Sequence, residues 1–244
     1  NGPRLSERLA GLGLELAYST IVGDRAEDME EALRFTREQG IDLVITSGGL
    51  GPTADDLTAE VVARFAGREM RLDPEMEQKI EAILAGFAKR MRFDMEALRE
   101  ANRKQAMVPE GAIAIDPAGT APGLVVPAGD QVVLVLPGPP RELRAMWPQA
   151  LEAEPVKRLL ERASPYKEMQ VRMFGIPESE LAQSLREIEG ETELDELEIT
   201  TCLRGGEIVV DIRHRPGAEE SAEALVRGLD ARLGRFAYSY NGES

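Results

Sequence analysis

Apolar residues recur along the first part of the chain in runs that predict alternating strands and helices. The β-prone run from Leu14 to Val22 predicts a strand, and Asp24 is expected to cap a helix that continues to Gly40. The short run 43–45 is apolar on both sides, as expected for a buried parallel strand. This order of elements is typical of an α/β fold.

Further apolar stripes predict the other elements up to residue 164. Thr53 is expected to cap a helix with Asp56 at its third position, and Pro74 to open another. The buried face of the first of these helices is assigned to Leu57, Val61 and Phe65. The pattern then predicts helices at about 95–105 and 142–147, and strands at 112–115, 124–126 and 132–136.

Ser164-Pro165 is the expected linker between two domains, residues 1–164 and 165–244. The second domain shows strand patterns at 168–174, 197–203 and 207–213, and helical patterns at 179–188 and around Leu225, Leu229 and Leu233. Arg204-Gly205-Gly206 is typical of a hairpin turn. The β-α-β-β-α order predicts a small α+β domain.

The segment Ser47-Gly48-Gly49-Leu50-Gly51-Pro52-Thr53 lies between a predicted strand and a predicted helix. Its three glycines permit positive φ angles and let backbone N–H groups converge on an anion, where the helix dipole adds attraction. In open α/β sheets, ligands bind at the carboxyl ends of the strands, where this turn falls. From the glycines alone, a phosphate-binding loop and a tight structural turn fit equally well.

Several polar residues are candidates for the same site, and each has a purely structural alternative. Asp56 is either a helix carboxylate or a ligand for a divalent cation or a hydroxyl group. Lys104, with Arg103, either neutralises a diphosphate or ends a polar helix. Glu142 either points across the cleft or matches a helix dipole, and Asp24 is a weaker candidate.

Two loops are also candidates. Gly119-Thr120-Ala121-Pro122-Gly123 either lets the backbone approach a ligand or only joins two strands. Pro137-Gly138-Pro139-Pro140 follows a buried strand, and we expect it at the same sheet edge as the glycine turn.

The composition disfavours several kinds of binding and catalysis. The chain of 244 residues has 29 Lys and Arg against 44 Asp and Glu, a formal charge of −15, which opposes non-specific binding to nucleic acid or anionic membranes. Cys202 and His214 are the only residues of their types and are expected to be structural, so disulfide frameworks, cysteine-rich zinc sites and Ser-His-Asp catalysis are disfavoured. No apolar run reaches the ~20 residues that span a bilayer, and a cytoplasmic protein is expected.

The string from Ser47 to Thr58, SGGLGPTADDLT, resembles the signature of the molybdopterin-binding domain family (MogA, MoaB, gephyrin): Ser-Gly-Gly-Thr-Gly, four residues, then Asp. Asp56 falls on that acidic position, while Leu50 replaces the usual Thr, as it does in the CinA branch. Three further stretches point to the same branch: EANRKQA (100–106), GTAPG (119–123) and LPGPPRE (136–142).

This resemblance implies a three-layer, Rossmann-like α/β domain, a small KH-like α+β domain and a homodimer. It implies a nucleotide-sugar or pterin phosphate ligand, bound with Mg²⁺ or Co²⁺ and with or without a monovalent cation. It assigns catalysis to Asp56, Lys104 and Glu142. It also assigns the metal to Asp56. The binding residues it assigns are Ser47, Gly48, Gly49, Leu50, Gly51, Thr53, Asn102, Gln105, Gly119, Thr120, Ala121, Gly123, Pro137, Gly138 and Pro139.

The activity that the resemblance implies is hydrolysis of a nucleoside diphosphate sugar of the ADP-ribose type, in pyridine nucleotide recycling. The alternative is a module that binds a pterin phosphate or a nucleotide without cleaving it. CinA proteins usually begin with a strand upstream of Asn1 and continue into a deamidase domain. We expect neither in this sequence, so an exposed sheet edge and no deamidase activity are predicted.

We also expect no nucleic acid binding by the second domain. Residues 165–244 contain 9 Lys and Arg against 17 Asp and Glu. KH domains usually bind nucleic acid through a Gly-x-x-Gly loop in basic surroundings. The glycine pair Gly205-Gly206 instead lies within a predicted hairpin.

Overall fold

The computed structural model describes residues 1–88, 102–163 and 166–240. The chain divides into two compact units. Unit 1 comprises Asn1–Ser6 and Leu16–Arg162, and unit 2 comprises Glu7–Glu15 and Ala163–Ser244. Helix α1 (Gly2–Gly11) therefore begins in unit 1 and ends in unit 2.

Unit 1 combines α-helices with two β-sheets. Besides the start of α1, its helices are α2 (Ala26–Glu38), α3 (Thr58–Phe65), α4 (Pro74–Ala88), α5 (Pro140–Glu152) and α6 (Glu154–Leu160). Its strands are β1 (Leu43–Ser47), β2 (Met70–Leu72), β3 (Met107–Pro109), β4 (Ile113–Ile115), β5 (Gly123–Ala128) and β6 (Gln131–Leu136). Residues 102–105 are also helical, and the rest of the helix predicted at 95–105 lies outside the described residues.

The main sheet of unit 1 has the order β1-β6-β5-β4. Strand β1 runs parallel to β6, with Leu43 opposite Val132 and Ser47 opposite Leu136. The β6–β5 and β5–β4 pairs are antiparallel, so the sheet is mixed. Strands β2 and β3 form a separate antiparallel pair.

Helices cover both faces of the main sheet. Leu33 of α2 and Val61 of α3 pack with Leu124, Val126 and other side chains of one sheet face. Helix α5 contacts β4, β5 and β6. It approaches Gly123, which alternates with Leu124 along β5 and so belongs to the opposite face. The α/β class is therefore confirmed.

Three local predictions for unit 1 are wrong. Residues 14–22 form no strand, and Ile21 is fully exposed. Helix α2 begins after Arg25 and has no side-chain cap, so Asp24 does not cap it. Helix α3 begins at Thr58 after Leu57, so Asp56 is not its third residue. In addition, β1 is half-buried and pairs only with β6 in the described residues, where a fully buried strand was predicted.

Unit 2 is an α+β unit with the predicted β-α-β-β-α order, followed by one further strand. Its elements are β7 (Lys167–Phe174), α7 (Glu178–Glu189), β8 (Leu197–Arg204), β9 (Glu207–His214), α8 (Glu219–Leu233) and the unpredicted β10 (Ala237–Ser239). The sheet has the antiparallel order β10-β7-β9-β8. Gly205 and Gly206 have φ values of 60° and 88°, which suits the tight turn between β8 and β9. The KH-like assignment stays a prediction.

The core of unit 2 lies between its two helices and one face of its sheet. Alternate residues of β9, Ile208, Val210 and Ile212, are buried against Leu225 and Leu229 of α8. The single histidine, His214, is also buried, and its Nδ1 lies 3.0 Å from the Arg215 carbonyl oxygen.

Among the helices within the described residues, none is both long enough and apolar enough to cross a bilayer.

Candidate functional site

Two loops meet at one edge of the main sheet of unit 1. Because β1 and β6 are parallel and in register, the glycine turn after Ser47 and the Pro137-Gly138-Pro139 loop emerge side by side. A Cβ atom on Gly138 would lie 3.5 Å from the Cα atom of Gly48. The Asn1 side chain donates hydrogen bonds to Ser47 Oγ at 2.7 Å and to the Gly138 carbonyl at 2.9 Å.

The turn itself requires glycine at two consecutive positions. Gly48 and Gly49 have φ values of 111° and 67°, which L side chains rarely adopt. A Cβ atom on Gly49 would also overlap Oγ1 of Thr58, the first residue of α3. The turn is closed by the hydrogen bond from the Thr58 amide to the Gly49 carbonyl at 3.2 Å. These contacts fix the backbone between β1 and α3.

The backbone amides of the turn differ in whether they have a hydrogen-bond acceptor. The Gly48 amide donates to the Leu136 carbonyl at 3.0 Å, and the Gly51 amide lies close enough to Asp56 to lower the pKa of its carboxyl group. For the amides of Gly49 and Leu50, the contacts among residues 1–88, 102–163 and 166–240 include no hydrogen-bond acceptor. Both residues line a cleft, where adjacent free amides suit an anion.

Asp56 folds back onto the turn. Its Oδ2 accepts hydrogen bonds from the Thr53 amide at 3.0 Å and the Thr53 hydroxyl at 2.7 Å, and a Cβ on Gly51 would overlap it. Burial raises the pKa of Asp56, but the Thr53 hydroxyl, the Gly51 and Thr53 amides and the Lys104 charge together hold it below its ordinary value. The carboxylate is therefore charged at neutral pH.

Asp55 competes with Asp56 for one hydrogen atom. The Thr53 hydroxyl lies within hydrogen-bond distance of both carboxylates, yet it carries a single proton. Asp55 is exposed, whereas Asp56 is half-buried.

Residues 102–105 support the turn from the other side of the cleft. Lys104 donates to the Thr53 carbonyl, and its charge acts on Asp56. The buried Gln105 donates to the Leu50 carbonyl at 3.0 Å and reaches Thr120 Oγ1 at 3.3 Å. Asn102 instead donates to the Glu77 carbonyl of α4 at 3.3 Å and is 5% exposed, so it anchors the segment to that helix.

The Gly119–Gly123 loop lies beside this cluster. A Cβ on Gly119 would overlap the Glu142 carboxylate, which projects from the first turn of α5. Ala121 and Gly123 are buried, and Gly123 is packed against Met146 of α5. Glu142 therefore contacts the loop and lies outside the cleft lining.

Most of these groups line a cleft with a cavity volume of about 30 Å³, well below the ~300–1,000 Å³ of typical small-molecule pockets. Its lining combines the glycine turn, charged residues and apolar side chains. The lining residues are Gly49, Leu50, Gly51, Asp56, Ala59, Glu60, Met70, Lys104, Gln105, Met107, Pro122 and Leu124.

The residues of the cleft are better suited to a divalent cation that binds together with a phosphate ligand than to a cation held by protein side chains alone. Within the described ranges, no group of three or more His, Cys, Asp and Glu side chains is placed to hold a metal ion. Asp56 supplies one charged carboxylate beside the Gly49 and Leu50 amides, which donate no hydrogen bond within the described residues. Mg²⁺ is commonly held by one or two carboxylates together with substrate phosphates and water, which this donor set allows.

The structure thus gathers Gly49, Leu50, Gly51, Asp56, Lys104 and Gln105 of the predicted residues in one cleft. It places Ser47, Pro137, Gly138 and Pro139 at the adjacent strand ends, and Asn102 and Glu142 outside the cleft lining. Sequence reasoning missed the apolar lining residues, above all Met70 and Met107. Their strands have three residues each, too short to produce a period-2 pattern.

Comparison with known proteins agrees with this fold. A family model described as "Probable molybdopterin binding domain" matches residues 1–158. The match covers well over half of the chain, and the chain belongs to this family.

The relatives define the branch within the family. A CinA-like protein of Mycobacterium sp. (strain JLS) is 52% identical over 244 residues, which cover 99% of this chain and 58% of the relative. A CinA-like protein of Mycobacterium tuberculosis (strain ATCC 25618 / H37Rv) is 50% identical over 249 residues, with 100% and 58% covered. The chain spans 58% of the length of both relatives.

A solved structure supports the same branch. The protein CinA "with unknown function" from Thermoplasma acidophilum is 33% identical, with a TM-score of 0.53, and the match covers 62% of this chain and 84% of that one. The CinA branch predicted from the motifs is confirmed.

Proposed function

We propose that unit 1 binds the diphosphate of a nucleotide at the glycine turn and hydrolyses a nucleoside diphosphate sugar of the ADP-ribose type. The observation that supports binding is that Gly49 and Leu50, whose amides donate no hydrogen bond within the described residues, line the same cleft as Lys104. Adjacent backbone donors and one ammonium group match the charge and the acceptor oxygens of a diphosphate.

In this proposal, the turn holds one phosphate and Lys104 balances the charge of the other. The hydrogen bonds at Gly49 and Thr58 make the turn rigid before the ligand arrives, so little ordering is needed on binding. Gln105 fixes the Leu50 carbonyl, which orients the following peptide.

Asp56 is better suited to hold a cation than to remove a proton. A carboxylate with a lowered pKa is a weak base at neutral pH, whereas its fixed negative charge attracts a divalent metal. Such a metal, Mg²⁺ or Co²⁺, supplies charge neutralisation at the phosphoryl oxygens when bound.

Hydrolysis adds one water molecule across the P–O–P bridge. The water oxygen bonds to one phosphorus, the bond from that phosphorus to the bridging oxygen breaks, and the bridging oxygen leaves on the second phosphate. The protons of the water pass to the product phosphates and to solvent. The products of ADP-ribose are AMP and ribose 5-phosphate. Lys104 stabilises the charge on the leaving phosphate.

The test is incubation with ADP-ribose and Mg²⁺ or Co²⁺, followed by quantification of AMP and ribose 5-phosphate by ³¹P NMR. We expect Lys104→Ala and Asp56→Asn each to lower turnover on the order of 10²-fold. Lys157→Ala is the control, because Lys157 pairs with Glu152 on the surface. Unchanged turnover in the Lys104 and Asp56 variants would remove their catalytic assignments.

A second candidate is a module that binds a pterin phosphate or a nucleotide without cleaving it. The observation that favours it is that Glu142, the other predicted catalytic carboxylate, contacts Gly119 instead of lining the cleft. Saturable binding of ADP-ribose without product formation, with either metal present, supports this module and contradicts hydrolysis.

A further inference from the structure

Strand β8 is an edge strand of the unit 2 sheet. It stands at one end of the order β10-β7-β9-β8, and among the described residues it pairs only with β9. Its eight residues pair one to one with those of β9 and include no proline or lysine. Natural proteins usually protect an edge with a short strand, a bulge, a proline or a lysine. The opposite edge is protected in this way, because β10 has three residues and an irregular register.

The hairpin between β8 and β9 determines which backbone groups of β8 point outward. The turn consists of Gly205 and Gly206, which both have positive φ. In such a two-residue turn the flanking residues, here Arg204 and Glu207, exchange backbone hydrogen bonds. Hydrogen-bonded and non-hydrogen-bonded pairs alternate along an antiparallel ladder. The N–H and C=O groups of the odd-numbered residues from 197 to 203 therefore point away from β9.

The side chains of these odd-numbered residues lie on the core face of the sheet, but only part of their row is covered. Leu197 and Ile199 pack against the core of unit 2. Thr201 is exposed, and Leu203 is 51% exposed. A long edge strand with exposed apolar side chains is a template for pairing with another chain.

The sequence of β8 is complementary to itself in the antiparallel direction. If a second copy pairs about a two-fold axis at Thr201, Glu198 lies opposite Arg204 and Ile199 lies opposite Leu203. The outward backbone groups of residues 199, 201 and 203 then meet those of residues 203, 201 and 199. The exposed Leu203 gains an apolar neighbour in the same arrangement.

The charges across the sheet alternate in sign through this register. Within one copy, Glu168 of β7 is opposite Arg213 of β9 and ion-paired with it at 2.8 Å, and Arg213 is opposite Glu198. Arg204 is opposite Glu207 in the same way. When Glu198 meets Arg204 of the second copy, the two rows join without placing like charges side by side. Opposite charges on neighbouring strands stabilise a sheet, so the charge pattern favours a second copy as the partner.

We propose that β8 is a dimer interface, in which the β8 strands of two copies pair antiparallel about Thr201 and join their sheets into one. The outward backbone groups supply the hydrogen bonds between the copies. The contact between Glu198 and Arg204 occurs twice by symmetry and fixes the register. This interface lies in unit 2 and is independent of the function proposed for unit 1.

The first test measures self-association of the full chain by sedimentation velocity over a range of protein concentrations. We expect a dimer whose fraction rises with concentration. Glu198→Arg and Arg204→Glu each set like charges opposite each other at both symmetric contacts, and each is expected to weaken the dimer about tenfold. An equimolar mixture of the two variants is expected to form a mixed dimer, because every contact again joins opposite charges. Native mass spectrometry identifies the mixed dimer by its mass.

The second test removes a backbone donor from the interface. Thr201→Pro deletes an N–H group that points away from β9, so the ladder within one copy is kept while the central pair between the copies is lost. We expect this variant to weaken the dimer about tenfold or more. Thr201→Val keeps the N–H group and is expected to retain the dimer.

A charge control and a folding control accompany both tests. Glu220→Arg, on the exposed first turn of α8, changes the charge by the same amount as Glu198→Arg and is expected to leave the dimer unchanged. Thermal unfolding verifies that each variant is folded.

Three results would overturn the interface. The first is a chain that stays monomeric at every concentration. The second is a dimer that Thr201→Pro does not weaken, which would place the contact on another surface. The third is the absence of a mixed dimer when the two charge variants are combined, which would contradict the register about Thr201. None of these results bears on the hydrolysis of ADP-ribose by unit 1, which is measured separately.

Discussion

At the scale of single residues, the glycine turn shows what a sequence can and cannot specify. Three glycines after a strand predict positive φ angles, and Gly48 and Gly49 have them. Gly51 has an ordinary φ, and its reason for being glycine is the Asp56 carboxylate folded over it. That contact depends on the path of residues 52–56, which no periodic pattern encodes.

Gly49→Ala is expected to destabilise unit 1 and to weaken pyrophosphate binding. A residue with a side chain at φ 67° costs about 1 kcal/mol or more. The overlap with Thr58 Oγ1 adds about 1–3 kcal/mol, the usual range for overpacking. Urea unfolding followed by the fluorescence of Trp147, which lies in unit 1, measures the loss.

Gly67→Ala is the matched control for this substitution. Gly67 has φ 66°, but a Cβ there meets nothing within 4 Å. The backbone strain is thus nearly equal at the two positions and the overlap exists only at Gly49. If both variants lost the same free energy of unfolding, the Thr58 contact would have no energetic role.

At the scale of elements, long amphipathic helices can be predicted from the sequence, whereas the pairing of strands at the edge of a sheet cannot. Helix α8 buries Leu225, Leu229 and Leu233 as their spacing predicts. The run 14–22 has the composition of a strand, but a strand also needs a neighbour to satisfy its backbone groups, and none is present in the described residues. Strand pairing is a long-range property that a local pattern does not contain.

The start of α3 shows the same limit at closer range. Thr53 and Asp56 form one half of the contact expected of a capping box, because the Thr53 amide donates to Asp56 Oδ2 while the Asp56 amide donates to the Thr53 carbonyl. The helix nevertheless begins at Thr58, because the chain makes a separate turn first. The capping pattern was therefore recognised at the right residues but assigned to the wrong element, and Asp56 is available to the cleft.

Glu219→Gln is expected to remove part of the acid sensitivity of unit 2. The Lys167 ammonium group, together with the backbone amides of Glu219 and Gly217, lowers the pKa of Glu219 from 4.5 to about 2. A carboxylate with a lowered pKa stabilises the fold fully above its ordinary pKa, and this stabilisation is lost as the pH falls from 4.5 towards 2.

The variant and the original protein should therefore differ in stability at pH 7 and converge near pH 2. Urea titrations followed by the methyl NMR signals of Leu225 and Leu229 report on unit 2 alone. Glu220→Gln removes an exposed charge from the same helix turn and serves as the control. A constant difference between pH 7 and pH 2 would contradict the role of the Glu219 charge.

At the scale of the whole molecule, the proposed site for an anion belongs to a protein whose overall charge is negative. The chain carries a formal charge of −15, yet the proposed phosphate site uses backbone amides and one lysine. Amide donors bind a small anion without attracting a long polyanion, because their field is short-ranged. The acidic character of the molecule therefore permits nucleotide binding while it disfavours nucleic acid.

The intact chain is consequently expected not to bind RNA. Residues 165–244 have 9 basic against 17 acidic residues, and Arg232 is engaged with both Glu187 and Glu191. Binding of single-stranded RNA relies on basic grooves that release counterions, so affinity falls steeply with salt. An electrophoretic mobility shift at low salt should show no complex, with ADP binding on the same sample as the control for folded protein. A shifted band that disappears as salt is raised would show that local surface charge outweighs the overall charge of the molecule.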